Sequence, residues 1–278
     1  MNMRCVLAMR KLTDLPEDYA GALSLKLLAA DEPPPFLETG TGRSNFVLTV
    51  DHASRRIPRA LADLGLPACE LERHIAWDIG ALEVATRAAA ELDGLLVAQN
   101  YSRLVIDSNR DPATESSIPM ISESTRIPGN VELSAEQRAA RRREIFEPYH
   151  QRIREILDAR KAAGRATILV AQHSMTDVYK GVQREMHAAV LYNRDRRFAG
   201  LVLESLRGES GLVVADNQPY FVSDATDYTI PRHAEARGLP HVEIEIRQDL
   251  VRDAAGQSLW AQRIIRALRD AERLLGAS

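Results

Sequence analysis

Cysteine is scarce. The chain of 278 residues carries two, Cys5 and Cys69, which excludes a disulfide framework and a zinc ribbon. Aromatic residues make up only 5%, too few for the stacking platforms of a single-strand nucleic-acid binder. There is no basic excess either, because 36 Lys and Arg stand against 39 Asp and Glu. The run Arg141–Arg143 is matched by Glu136, Glu144 and Glu147 in the same helical stretch, so it reads as a solvated face and not as a phosphate track. No apolar run approaches the roughly 18 residues of a membrane span. The apolar stretch between Arg4 and Arg10 is too short for a signal-peptide core. A soluble, reduced, cytoplasmic protein is expected. Phosphate loops are missing as well: Gly40-Thr-Gly42 lacks the preceding strand and the third glycine of a dinucleotide fingerprint.

What remains is ordinary for a globular enzyme, with 45% hydrophobic and 27% charged residues. The whole chain, 1–278, is read as a single catalytic domain. Residues 1–45 are peripheral, with weak helical character over Asp14–Ala30 and an extended Asp31-Glu-Pro-Pro-Pro spacer. The core spans 46–250, and 256–276 form a C-terminal helix. Asn45–Val50, Leu95–Gln99, Leu104–Asp107, Thr167–Gln172, Ala188–Tyr192, Leu212–Ala215 and His241–Arg247 read as strands. Helices are expected over Ala81–Leu92, from Ser134 to Gly164, over Arg196–Arg207 and over Ser258–Leu275. Ser134 with Gln137 makes a capping box, and Pro148 should kink or interrupt the helix that follows. Ile118–Val131 and Asn217–Ile230 are long polar loops, of the length that lids and binding loops have. Strands alternating with helices predict an α/β three-layer sandwich on a mixed, largely parallel sheet.

Charged groups concentrate in Tyr101–Pro112, YSRLVIDSNRDP. If extended, it places Tyr101, Arg103, Val105, Asp107 and Asn109 on one face, with Arg110 just beyond. The cluster is either a structural ion-pair network, Arg103 with Asp107 and Asp111, or an anion site. Two strand exits carry histidine, His52 and His173, where open α/β sheets place ligand groups. Two imidazoles with one carboxylate form a common catalytic zinc site with an open position. Asp78 is the candidate carboxylate, its alternative role being a helix N-cap, and Asp51 and Asp177 are substitutes. In His241–Arg247, alternation puts His241, Glu243, Glu245 and Arg247 on one face. That face is either the wet side of an edge strand or the source of a general base, Glu245.

Several segments taken together resemble the N-formylglutamate amidohydrolase family. They are His52 with Arg56-Ile57-Pro58, the run at 101–112, Ile127-Pro-Gly-Asn130, His173-Ser174 and Glu245-Ile-Arg-Gln-Asp-Leu250. That family is similar in architecture to zinc carboxypeptidases and aspartoacylases, a phosphorylase/hydrolase-like fold. The resemblance implies His52 and His173 as zinc ligands, Glu245 as base, and Asn109 with Arg110 as a clamp on a substrate carboxylate. Arg55 stands where the carboxypeptidase relatives carry their acidic ligand, so the carboxylate must come from elsewhere, and Asp78 is the inferred ligand. Arg103 would assist the clamp, and Arg232 or Arg247 would hold a second carboxylate. The implied activity is hydrolysis of N-formyl-L-glutamate to formate and glutamate, with one divalent ion, Zn2+, per chain. The rivals are another N-acyl amino acid or short peptide as substrate, or a non-catalytic carboxylate-binding module.

Overall fold

Continuous apolar runs decide the centre of the molecule. In the computed structural model, which describes residues 25–276, Phe46–Val50 (β2) and Ile168–Met175 (β4) are buried at every position. Strands covered on both faces have this signature. With Phe36–Gly40 (β1), Leu95–Gln99 (β3), Ala188–Leu191 (β5), Val214–Asp216 (β6) and His241–Arg247 (β7) they form one seven-stranded sheet. Its order is β1-β3-β2-β4-β7-β5-β6. β3, β2, β4 and β7 run parallel, while β1 pairs antiparallel with β3, and β5 antiparallel with β7.

Helices cover both faces. Phe46, Leu48 and Val50 point to one side with Val170 and Ile244, under Ala81–Glu91 (α1), Arg197–Arg207 (α4) and Ala254–Leu275 (α5). Val47, Leu169 and Ala171 point to the other side, against Tyr149, Ile153 and Leu157 of Glu147–Ala162 (α3). The three-layer α/β architecture expected from the alternation of elements is the one observed. No described helix is long and apolar enough to cross a membrane.

Several local expectations change. Leu104–Asp107 is not a strand but a series of turns. Ser102 is the cause: its hydroxyl donates to Ala76 O at 2.7 Å and accepts from Leu104 N at 3.1 Å, while its carbonyl accepts from Val105 N. Such side-chain to backbone bonds compete with a sheet ladder. Leu104, Val105 and Ile106 are all buried in a separate cluster, so the expected face-sharing along 101–109 does not exist. The strand β1 follows the Asp31–Pro35 spacer as an exposed edge, with little apolar signal to announce it. The helix expected over Asp14–Ala30 lies mostly outside the described residues, and 25–30 form no helix.

The capping box at Ser134 and Gln137 is present and opens Ala135–Arg141 (α2). Just ahead of Pro148 the long helix is interrupted by a π-helical turn, Arg142–Phe146, which carries α2 into α3. Proline supplies no N–H to the carbonyl four residues back, and a wider turn accommodates that gap. The loop 118–131 contains a small hairpin, Ile121–Ser122 with Thr125–Arg126. A second hairpin, Val178–Tyr179 with Val182–Gln183, follows β4.

Candidate active site

Strand register sets up the first row of the site. Thr49 of β2 lies opposite Ala171 of β4, and Ala171 lies opposite Glu243 of β7. Side chains repeat every two residues, so Asp51, His173 and Glu245 come next in line across three parallel strands. All three are buried, at their carboxyl ends. β7 is central, not an edge, and His241–Ile246 are buried throughout. The wet-face alternative for this strand is therefore excluded, and Glu243 is buried at 3% exposure.

The second row comes from loops. Asp78 N donates to His52 O at 2.9 Å, tying the turn before α1 to the exit of β2. Gly80 makes that turn possible. Its φ is +79°, and a Cβ there would lie 2.3 Å from Val251 O, so no larger residue fits. Asp78 does not cap α1, whose N-cap is Gly80 without a side-chain bond. Its Oδ2 instead faces both imidazoles: His173 Nδ1 at 2.9 Å and His52 Nδ1 at 3.4 Å. Ser174 N donates to the same oxygen at 3.3 Å.

Each histidine is backed by a further carboxylate. His52 Nε2 donates to Asp107 Oδ1 at 2.7 Å, and His173 Nε2 lies 3.4 Å from Asp51 Oδ2. Asp51 is itself fixed by Tyr149 Oη and Thr229 Oγ1, each donating at 2.8 Å. Burial alone would raise the pKa of Asp51, but the hydrogen bond and charge of His173 and the charge of His52 hold it at about 2. The same opposition leaves Asp78 low, against the charge of His52 and the hydrogen bonds of both histidines. Asp107 is held well below its usual range, burial being outweighed by Arg103 and His52.

This donor set suits a divalent cation. One atom each from His52, Asp78 and His173 lie within 4.8 Å of one another, all buried. Both rings turn Nδ1 inward and Nε2 toward a carboxylate, the outer-shell arrangement that orients metal-binding imidazoles. With both imidazoles neutral, as metal ligation requires, the carboxylates of Asp51, Asp78 and Asp107 outweigh the guanidinium of Arg103 that pairs with two of them.

A cavity of about 370 Å³ opens on this centre. Glu245 lines it with an Oε2 that has no hydrogen-bond partner among the described residues. Burial lifts its pKa to about 7, with His173 opposing and Asp78 adding to the rise. Glu243 shares the wall and is pushed well above the usual range, again by burial.

The arginines divide. Arg103, Asn109 and Arg110 line the cavity. Arg103 grips Asp107 Oδ2 through Nε at 3.1 Å and Nη2 at 2.8 Å, with Nη1 3.4 Å from Asp78. Asn109 bridges to the loop 217–229, donating to Asp227 at 3.0 Å and accepting from Tyr228 N and Thr229 N. Arg110 bonds Asn109 O and Thr226 O. The other two are placed elsewhere. Arg247 donates to Arg184 O at 2.9 Å and pairs with Asp249 at 2.8 Å. Arg232 packs over the Tyr228 ring and pairs with Asp111 at 3.4 Å. Neither is among the residues that line the cavity, so the structure does not bring Arg232 or Arg247 together with the other predicted clamp residues. The β7 pleat explains Arg247: as the last strand residue it turns to the carbonyls of the neighbouring hairpin connection.

Sequence reasoning passed over Asp107 as a partner of His52, Glu243 as a cavity wall, and Tyr220, Phe221 and Asp227 from the second long loop. Only Glu243 had a readable signal, its two-residue spacing from Glu245. Nearby, His150 and His233 form a buried pair, Nδ1 to Nε2 at 2.9 Å, and His150 Nε2 donates to Ser108 O at 2.8 Å. The pair thus braces the turn that carries Asn109.

Similarity to known proteins agrees with this geometry. The chain is 36% identical to gene product Atu2144 from Agrobacterium tumefaciens, with a TM-score of 0.87 over 90% of this chain and 100% of that one. The N-formylglutamate amidohydrolase from Ralstonia eutropha JMP134 shares the fold at 21% identity, TM-score 0.61, covering 88% of this chain and 100% of that one. No curated protein matches the sequence. The family model for N-formylglutamate amidohydrolase matches residues 44–252, a span that begins just before β2 and ends just after β7, and the chain accordingly belongs to the N-formylglutamate amidohydrolase family.

Proposed function

We propose that the protein is a metal-dependent amidohydrolase that cleaves the amide of an N-formyl or closely related N-acyl amino acid, with N-formyl-L-glutamate as the leading substrate. The observation that carries this reading is the buried convergence of His52 Nδ1, His173 Nδ1 and Asp78 Oδ2 beside an unpartnered Glu245. His52, Asp78 and His173 would hold one divalent ion, zinc by ligand type. Such an ion supplies Lewis-acid polarisation of the acyl oxygen and lowers the pKa of water.

The remaining chemistry belongs to the chain. Glu245, with a pKa of about 7, is poised to take a proton from water near neutral pH. The water oxygen bonds to the acyl carbon, the C–N bond breaks, and the proton on Glu245 passes to the leaving amine. The products are a carboxylic acid and an amino acid. Asn109 and Arg110, held by the loop 217–229, are the candidates to orient the carboxylate of the amino-acid half, a task suited to a planar guanidinium. Arg103 is committed to Asp107 and Asp78, so its role is to fix those carboxylates. The reading treats the chain as one catalytic domain, and the low cysteine content accords with a cytoplasmic location.

The test is elemental analysis of purified protein combined with formate release from N-formyl-L-glutamate. Close to one divalent ion per chain and metal-dependent formate release are expected. A zinc-loaded protein that cleaves no N-acyl amino acid would overturn the proposal.

A further inference from the structure

A second cavity, about 910 Å³, adjoins the catalytic one, and His74 and Thr176 line both. A smaller cavity of about 230 Å³ sits against both, sharing Arg103, Arg110 and His74 with the first and His74 and Glu123 with the second. A formyl amino acid needs little more than the catalytic cavity, which already falls in the usual range of small-molecule sites, roughly 300–1,000 Å³. The larger space therefore calls for another occupant.

Its walls describe that occupant. Both carboxylates are already committed: Glu72 pairs with Arg55, and Glu123 with Arg73 at 2.6 Å. Two cations at the rim are held more loosely. Lys180, at the tip of the 178–183 hairpin, packs over the Tyr179 ring and makes no ion pair among the described residues. Arg252 is held only by Asp177 at 3.4 Å, and Asp177 also accepts from Gln248 Nε2 at 2.9 Å. Two buried polar atoms on the walls lack partners among the described residues, Trp77 Nε1 and Gln248 Oε1. Gln248 is 6% exposed. A buried polar group left unpaired costs about 1–3 kcal/mol, so these atoms favour a polar ligand. The cavity is thus a polar slot with spare positive charge at its rim.

We infer that this cavity is an acyl-side subsite, and that besides formyl compounds the enzyme takes N-acyl amino acids whose acyl group is longer and ends in its own carboxylate. The inference rests on the hydrolase reading above. Asn109 and Arg110 serve the amino-acid half and neither touches the larger cavity, so the half that faces it is the acyl group. Lys180, Arg252 and the Trp77 Nε1 donor meet the terminal carboxylate of the chain. Hydrolysis is balanced as before: water adds to the acyl carbon, the C–N bond breaks, and a dicarboxylic acid leaves with the free amino acid.

The experiment compares four amides of L-glutamate with the zinc-loaded full chain: N-formyl, N-acetyl, N-succinyl and N-(4-methylpentanoyl), the last a neutral isostere of succinyl. The succinyl compound should exceed its isostere in kcat/KM by about tenfold or more, the size of one well-placed charged contact. The double variant K180A/R252A should raise KM for the succinyl compound about tenfold and leave kcat/KM for N-formyl-L-glutamate within about twofold. Both residues are largely exposed, so the fold is not at stake. If the formyl compound is cleaved but succinyl is no better than its isostere, or the double variant leaves that ratio unchanged, the subsite is wrong and the hydrolase reading stands. If no amide is cleaved, the hydrolase reading fails and takes the subsite with it.

Discussion

The candidate site has a strand-borne half and a loop-borne half. His173, Glu243 and Glu245 project from β4 and β7, whose pairing fixes them relative to each other. Asp78, Asp107, Asn109 and Arg110 come from turns, and each is held by specific bonds to other segments. A ladder positions a side chain with little help from its neighbours. A turn must be pinned from outside, which is why the loop half is surrounded by the half-buried Arg103 and by buried partners: Gly80, Ser102, Thr229 and the His150–His233 pair. The difference suggests that damage to the strand half removes a chemical group cleanly, whereas damage to the loop half loosens the site by degrees.

Substitutions can break this contrast. His173→Ala should have the largest effect, reducing bound zinc from about one per chain to near zero and activity below detection. Metal analysis of the purified variant checks it, and retained stoichiometric zinc would remove His173 from the ligand set. Glu245→Gln should keep the zinc yet lower kcat by about 10²–10⁴-fold. The wild-type pH profile bears on the same residue. The base form exists above a pKa of about 7, so kcat/KM should fall about tenfold per pH unit below that point and level off above it. A flat profile between pH 5 and 8 would rule Glu245 out as base.

In the loop half, Asp107→Asn should weaken zinc affinity about 10–100-fold, measured by competition with a chelator, because His52 loses the carboxylate that orients it. The smallest effect should be that of Arg110→Ala: KM for N-formyl-L-glutamate up about tenfold, with kcat nearly unchanged. Equal losses in KM and kcat would mean that Arg110 positions the reacting groups and not only the carboxylate.

The same division explains what could be read from sequence. Runs such as Phe46–Val50 and Ile168–Ala171 declare buried parallel strands because every residue is apolar or small. Two histidines at strand exits follow from that reading, and Glu245 follows from alternation along β7. The Ser134–Gln137 capping box was legible for a similar reason, since both partners lie within one turn. Legibility ended where long-range bonds took over. Leu-Val-Ile at 104–106 has strand propensity, but Ser102 bonded to Ala76 makes it a turn. No local pattern reports that Asp107 meets His52, residues 55 positions apart, or that Tyr149 and Thr229 converge on Asp51. Arg232 and Arg247 looked like substrate ligands because guanidinium groups near a motif are suggestive. Arg232 pairs with Asp111, 121 positions away, and Arg247 with the carbonyl of Arg184, 63 positions away, and no local pattern reports either bond.

The main-chain bond from Asp78 N to His52 O has a corollary for substitution. Two of the three donors are joined through peptide atoms common to every amino acid, so a substitution reaches their separation only by disturbing the turn itself, as any residue larger than Gly80 would. The 178–183 hairpin that borders the larger cavity lies outside that bond, and exchange of its side chains leaves the bond in place.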